Sequence, residues 1–85
     1  MTDSVNAVRE AILELTAARG PGKTISAEEA ARAVSQANFQ RVLKDVRAEA
    51  VRLHKEGRVL IYRKGKPVEN PDLFKGVYRL GLPAA

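Results

Sequence analysis

Gly20-Pro21-Gly22-Lys23-Thr24 is the first stretch of this 85-residue chain whose residue types and spacing suggest chemistry. Gly-Lys-Thr closes a phosphate-binding P-loop, where backbone N–H groups and the lysine cradle a nucleotide. That motif needs another glycine where Ala17 stands, and a strand ahead of the loop where the pattern here is helical. A turn leading into a short extended piece at Thr24-Ile25 is the better expectation. His54 is the one histidine and cysteine is absent, so neither a metal site nor a disulfide is expected. No nucleophile–base set and no paired carboxylates stand out. Catalytic residues, cofactors and enzymatic activity are therefore not expected.

Charge is the stronger signal. Residues 1–40 carry four basic and five acidic groups, a net of −1, whereas residues 41–85 carry eleven and five, a net of +6. Positive charge gathered in one half is the electrostatic footprint of a polyanion binder. No apolar run approaches the roughly 20 residues that span a membrane, and no signal-peptide pattern opens the chain. A cytoplasmic protein without membrane contact is expected, as a monomer or a homodimer. The length suits one domain over residues 1–85, with 1–4 and 81–85 expected to fray.

The elements that must position those charges follow from periodicity. Asp3 or Ser4 is expected to cap a first helix, with Val5, Val8, Ile12 and Leu15 as its apolar stripe and an end near Arg19. Leu13 lies off that stripe. Ser26 to Glu29 forms a capping box for a second helix reaching Val34 or Gln36, with small Ala27, Ala30 and Ala31 on its inner face. Asn38 is the expected cap of a third helix running to Glu56. Val42, Leu43, Val46, Ala50 and Leu53 share its apolar face, and Arg41, Lys44, Arg52 and Lys55 lie opposite around small Ala48.

Asp45 follows Arg41 by four and Glu56 follows Arg52 by four, so two ion pairs worth about 0.2–0.5 kcal/mol each are expected. A phosphate can displace pairs that weak. His54 is expected at the margin of the apolar face, where a charge, if it carries one, favours the helix C-terminus. Val59 to Tyr62 and Val77 to Leu80 read as strands. Arg63-Lys64-Gly65-Lys66-Pro67 between them is a glycine turn with three cations. Asn70-Pro71-Asp72-Leu73 reads as a capped helical turn, and Leu73 and Phe74 are expected to hold the long loop on the core. The class is α+β, mainly α: a winged helix-turn-helix of three helices and a C-terminal β-hairpin wing, with a short third strand near Thr24-Ile25.

Several short motifs in one order carry a resemblance. They are Ala17 to Ile25 (AARGPGKTI), Arg41-x-Leu43…Val46-Arg47, Glu56-Gly57-Arg58, and Gly65-Lys66-Pro67-Val68. Together they resemble a small bacterial family known only as a numbered domain of unknown function, and the resemblance covers nearly the whole chain. It implies a winged-helix fold and no established activity. The family usually opens its third helix with Trp where Phe39 stands, and often has Cys-Pro where Ser26-Ala27 stands. Nothing done by that Trp or Cys carries over.

Double-stranded DNA is the expected partner. Gln40, Arg41 and Lys44 at the start of the third helix would reach base edges, and Arg52, Lys55, Arg58, Arg63, Lys64 and Lys66 would hold phosphates. The least compensated charge runs from Arg58 through Lys66, so the wing is expected to contribute at least as much affinity as the helix. The alternative is a protein-interaction module on the same scaffold, for which the off-stripe Leu13 is a candidate contact. No aromatic platform for single-stranded bases is evident.

Overall fold

The computed structural model describes residues 2–83, with side chains from residue 6 onward. Three helices are followed by the bulk of a small sheet: α1 (Thr2–Arg19), β1 (Thr24–Ser26), α2 (Ala27–Val34), α3 (Phe39–Glu56), β2 (Leu60–Arg63), β3 (Lys66–Pro67) and β4 (Arg79–Gly81). The sheet is antiparallel in the order β1-β4-β2-β3. This α+β, mainly α arrangement is compatible with a winged helix, and β1 is the expected third strand, paired with β4.

On α1, Val8 and Ile12 are buried as the stripe requires, while Val5 lies outside the described side chains. α1 already includes Thr2, so Asp3 and Ser4 stand inside the helix rather than capping it. Thr16 is also fully buried, although it is polar. Its hydroxyl donates back to the carbonyl of Ile12 at 2.8 Å, which satisfies it within the helix. Leu13 is half-buried against the core.

α2 opens on the expected capping box. Ser26 Oγ accepts from the Glu29 N–H at 3.1 Å, and Glu29 Oε1 accepts from the Ser26 N–H at 3.0 Å. That backbone bond is the main cause holding the Glu29 carboxyl below the usual range. Ala30 and Ala31 are fully buried, and α2 packs directly on α3. Side chains this small let two helix axes approach closely.

Asn38 precedes α3 but makes no side-chain cap. The local bond runs the other way, with Ser35 Oγ accepting from the Asn38 N–H at 3.1 Å. Val46, Ala50 and Leu53 are buried on the inner face, together with the unexpected Glu49. Gly57 ends the helix at φ 77°.

In the sheet, Ile25, Leu80 and Ile61 are cross-strand partners and all three are fully buried against the helices. Alternation then sends Ser26, Arg79 and Tyr62 to the opposite face. Both strands around the wing begin later than expected, because Val59 lies in the core ahead of β2 and Val77 is 84 % exposed. Gly81 belongs to β4 and is buried, not part of a loose tail. A Cβ there would meet the Lys23 carbonyl at 2.8 Å, so only glycine lets β1 and β4 close at that point.

The cationic turn is a tight hairpin of its own. β2 and β3 pair Tyr62 with Pro67 and Arg63 with Lys66, leaving Lys64-Gly65 as a two-residue loop. Both loop residues have positive φ, 54° and 83°, as a type I′ connection requires. Beyond it, Asn70 Oδ1 accepts from the Asp72 N–H at 3.0 Å in a turn that does not extend into a helix. Phe74 is buried as expected, stacked edge-on against Tyr78. Leu73 does not hold the loop: it is 74 % exposed.

Candidate nucleic-acid interface

Helix α3 sorts its charges by direction. Arg9 of α1 donates to Glu49 at 2.6 Å and also to Glu56, drawing both acids to the side of α3 that faces α1. The bonds to Glu56 and Glu49 raise the guanidinium's pKa, and the Arg9 bond holds Glu56 below the usual carboxyl range. Arg52 reaches the other Glu49 oxygen at 2.8 Å. The expected pairs Arg41–Asp45 and Arg52–Glu56 do not form among the described residues. Arg52 instead meets the acid three positions back, and Arg9 claims Glu56 from another helix.

What remains on the outward side of α3 is a shallow groove of about 480 Å³. Lys44, Arg52 and Lys55 line it over Ala48, with Arg47 and the Pro71-Asp72 turn forming one wall. Lys55 pairs with Asp72 at 3.0 Å, but both ends are more than half exposed, so this contact is weak. Arg47 stacks over the Phe74 ring at 4.0 Å and donates to the Phe74 carbonyl at 2.7 Å. It braces the long loop against α3. Gln40 and Arg41 are exposed at the start of the helix.

Wing residues fall into a second cluster that shares no lining residue with the first. Arg63 and Lys64 line a hollow of about 520 Å³ with Lys23 and Arg79. Lys66 is exposed on β3, and Arg58 is exposed just past the end of α3. Sequence periodicity could not bring Lys23 and Arg79 to this cluster, because they join it only through the β1–β4 pairing.

His54 is half-buried at the margin of the apolar face, as expected, and makes a bond that helical spacing does not announce. Its Nδ1 accepts the Ile61 N–H at 3.0 Å, tying the end of α3 to β2. Burial pushes its pKa below 6.5, partly opposed by a hydrogen bond to the Val68 backbone. The imidazole therefore serves as a neutral acceptor, not as a cation at the helix end. Among the described residues no helix is long and apolar enough to cross a membrane.

The pattern of one family, described as a protein of unknown function (DUF3253), matches residues 5–83. The chain belongs to the DUF3253 family. The match spans all the elements that build the groove and the hollow, from α1 to β4. No curated protein matches the chain.

Proposed function

We propose that this DUF3253 protein binds double-stranded DNA through a winged-helix scaffold, as a cytoplasmic transcriptional or nucleoid accessory factor with no enzymatic activity. The observation that carries this reading is the sorting of charge by Arg9. It takes Glu49 and Glu56 off the outward side of α3, leaving Lys44, Arg52 and Lys55 around a small-residue floor, with Arg41 exposed nearer the helix start. A groove of that kind admits a phosphate-lined backbone closely. Lys64 and Lys66 at the hairpin tip add charge with no ion-pair partner among the described residues. Lys55 and Arg52 exchange weak pairs for phosphates.

The test is the salt dependence of duplex binding. Neutralising about four to six phosphates makes log affinity fall with log salt at a slope near −4 to −5. A flat profile, or no binding at low salt, rejects the reading. A second reading is a protein-interaction module, favoured by Leu73 and Val77, which are large, apolar and exposed on the same loop. Nuclease-insensitive recovery of one stoichiometric protein partner, without duplex binding, selects it.

A further inference from the structure

The Gly22-Lys23-Thr24 turn is not a P-loop, yet its lysine has a place. It forms one wall of the 520 Å³ hollow, on the face of the sheet turned away from the helices. Arg63, Lys64 and Arg79 supply three further cations, and no carboxylate is among the lining residues. Four positive charges around one concavity repel each other, so their convergence needs a reason.

The two arginines are positioned by neutral groups. Arg63 Nη1 donates to the Val77 carbonyl at 2.6 Å. Arg79 Nε donates to Thr24 Oγ1 at 2.7 Å, and another of its nitrogens donates to the Thr24 carbonyl at 3.2 Å. Neutral acceptors fix the guanidinium planes without cancelling their charge. Most of the N–H donors stay uncommitted. Glu29 is the acid that senses Arg79, but it is already bonded to Arg19 at 2.5 Å and to the Ser26 N–H. Glu28 lies on a separate, neighbouring hollow beyond Val77 and Tyr78.

The walls are not only cationic. Tyr62, Tyr78 and Val77 give the hollow apolar surface beside the charges. Its size falls within the usual range for small-molecule sites, and a few fixed polar groups set against aromatic walls are their usual make-up. Planar guanidinium groups match the paired oxygens of a phosphate.

We infer that this hollow is a binding site for a small organic phosphate, a phosphomonoester head held by Arg63, Arg79, Lys23 and Lys64 with its organic body against Tyr62 and Tyr78. The site is separate from the α3 groove and does not depend on DNA binding there.

The test titrates the full-length protein with phenyl phosphate, and separately with inorganic phosphate, while amide chemical shifts are followed. Saturable shifts are expected at residues 22–24, 62–65 and 77–79, with phenyl phosphate binding more tightly than inorganic phosphate. Lys23→Gln combined with Lys64→Gln should weaken phenyl phosphate by about tenfold or more, as expected for losing charge-assisted contacts. Both lysines are exposed, so that variant reads out even if Arg79→Gln, which also removes a brace on β1, fails to fold. Lys44→Glu, in the α3 groove and outside the hollow, should leave phenyl phosphate affinity unchanged, which separates this site from the α3 groove. Absence of saturable shifts, shifts confined to the α3 groove, or an unweakened double variant overturns the inference. Equal affinity for the two phosphates overturns the role of the tyrosine walls.

Discussion

Replacing Glu49 with glutamine should destabilise the protein and strengthen its hold on DNA in the same variant. The Glu49 carboxylate is 3 % exposed and accepts from Arg9 at 2.6 Å and Arg52 at 2.8 Å. Glutamine keeps the shape and one acceptor but turns an amide NH2 toward a guanidinium. Losing the charge at a carboxylate this buried costs about 2 kcal/mol, within the usual span for hydrogen bonds to ionised groups. The Arg52 contact adds little, because that side chain is 60 % exposed. For a domain of this size, about 2 kcal/mol lowers the melting temperature by roughly 8–16 °C. The same change removes a negative charge beneath the α3 groove and releases Arg52. Duplex affinity at low salt should therefore rise, and the salt slope should steepen by up to about 1. Thermal melting and duplex titration of the one variant check both halves. A melting temperature within about 2 °C of the unaltered protein would refute Glu49 as the carboxylate that organises α3.

Lys64→Asn should separate stability from binding. Lys64 holds a left-handed φ of 54° that asparagine tolerates better, so the variant should melt a few degrees higher, from a gain of about 0.5–1 kcal/mol. It should also bind polyanions more weakly, and a lower melting temperature would count against the type I′ assignment. His54 should titrate below 6.5 by NMR. Between its folded pKa and 6.5 the unfolded chain binds more protons, so stability falls as pH drops through that window. His54→Gln should flatten that limb, and a measured pKa at or above 6.5 would contradict the Ile61 contact. Gly81→Ala should cost about 1–3 kcal/mol in denaturant unfolding, because the added methyl must push β1 from β4. Unchanged unfolding would mean that the strands have slack there.

Local rules carried most of the fold. The Ser26–Glu29 box, the small face of α2 and the glycine after α3 each act over a few residues, and each forms where periodicity and capping place it. The misses have a common physical origin. Arg9 belongs to a nearly neutral first half, and nothing within α1 marks it as the partner of two acids 40 and 47 positions away. An i,i+4 rule therefore assigned Glu56 to Arg52, when a third residue from another helix outcompetes that exposed pair. His54 sits at the margin of the apolar face as expected, but its bond goes unannounced for a similar reason: the partner is a backbone N–H on β2, which no side-chain pattern shows. Thr16 carried a signal, since it lies one turn beyond Ile12 on the buried stripe, but a polar residue there is legible only once back-bonding is allowed. Of the candidate site, the α3 cations were legible from helical spacing. The grouping of Arg63 and Lys64 with Lys23 and Arg79 was not, because it arises from strand order.

Duplex affinity of Lys44→Glu at low salt tests the central reading most directly. Lys44 lines the α3 groove and is exposed, so the substitution should leave the fold and melting temperature nearly unchanged. If the groove seats DNA, affinity should fall by about tenfold or more, as expected for reversing a charge at a phosphate contact. Affinity equal to that of the unaltered protein would contradict the assignment of α3 as the DNA-binding face.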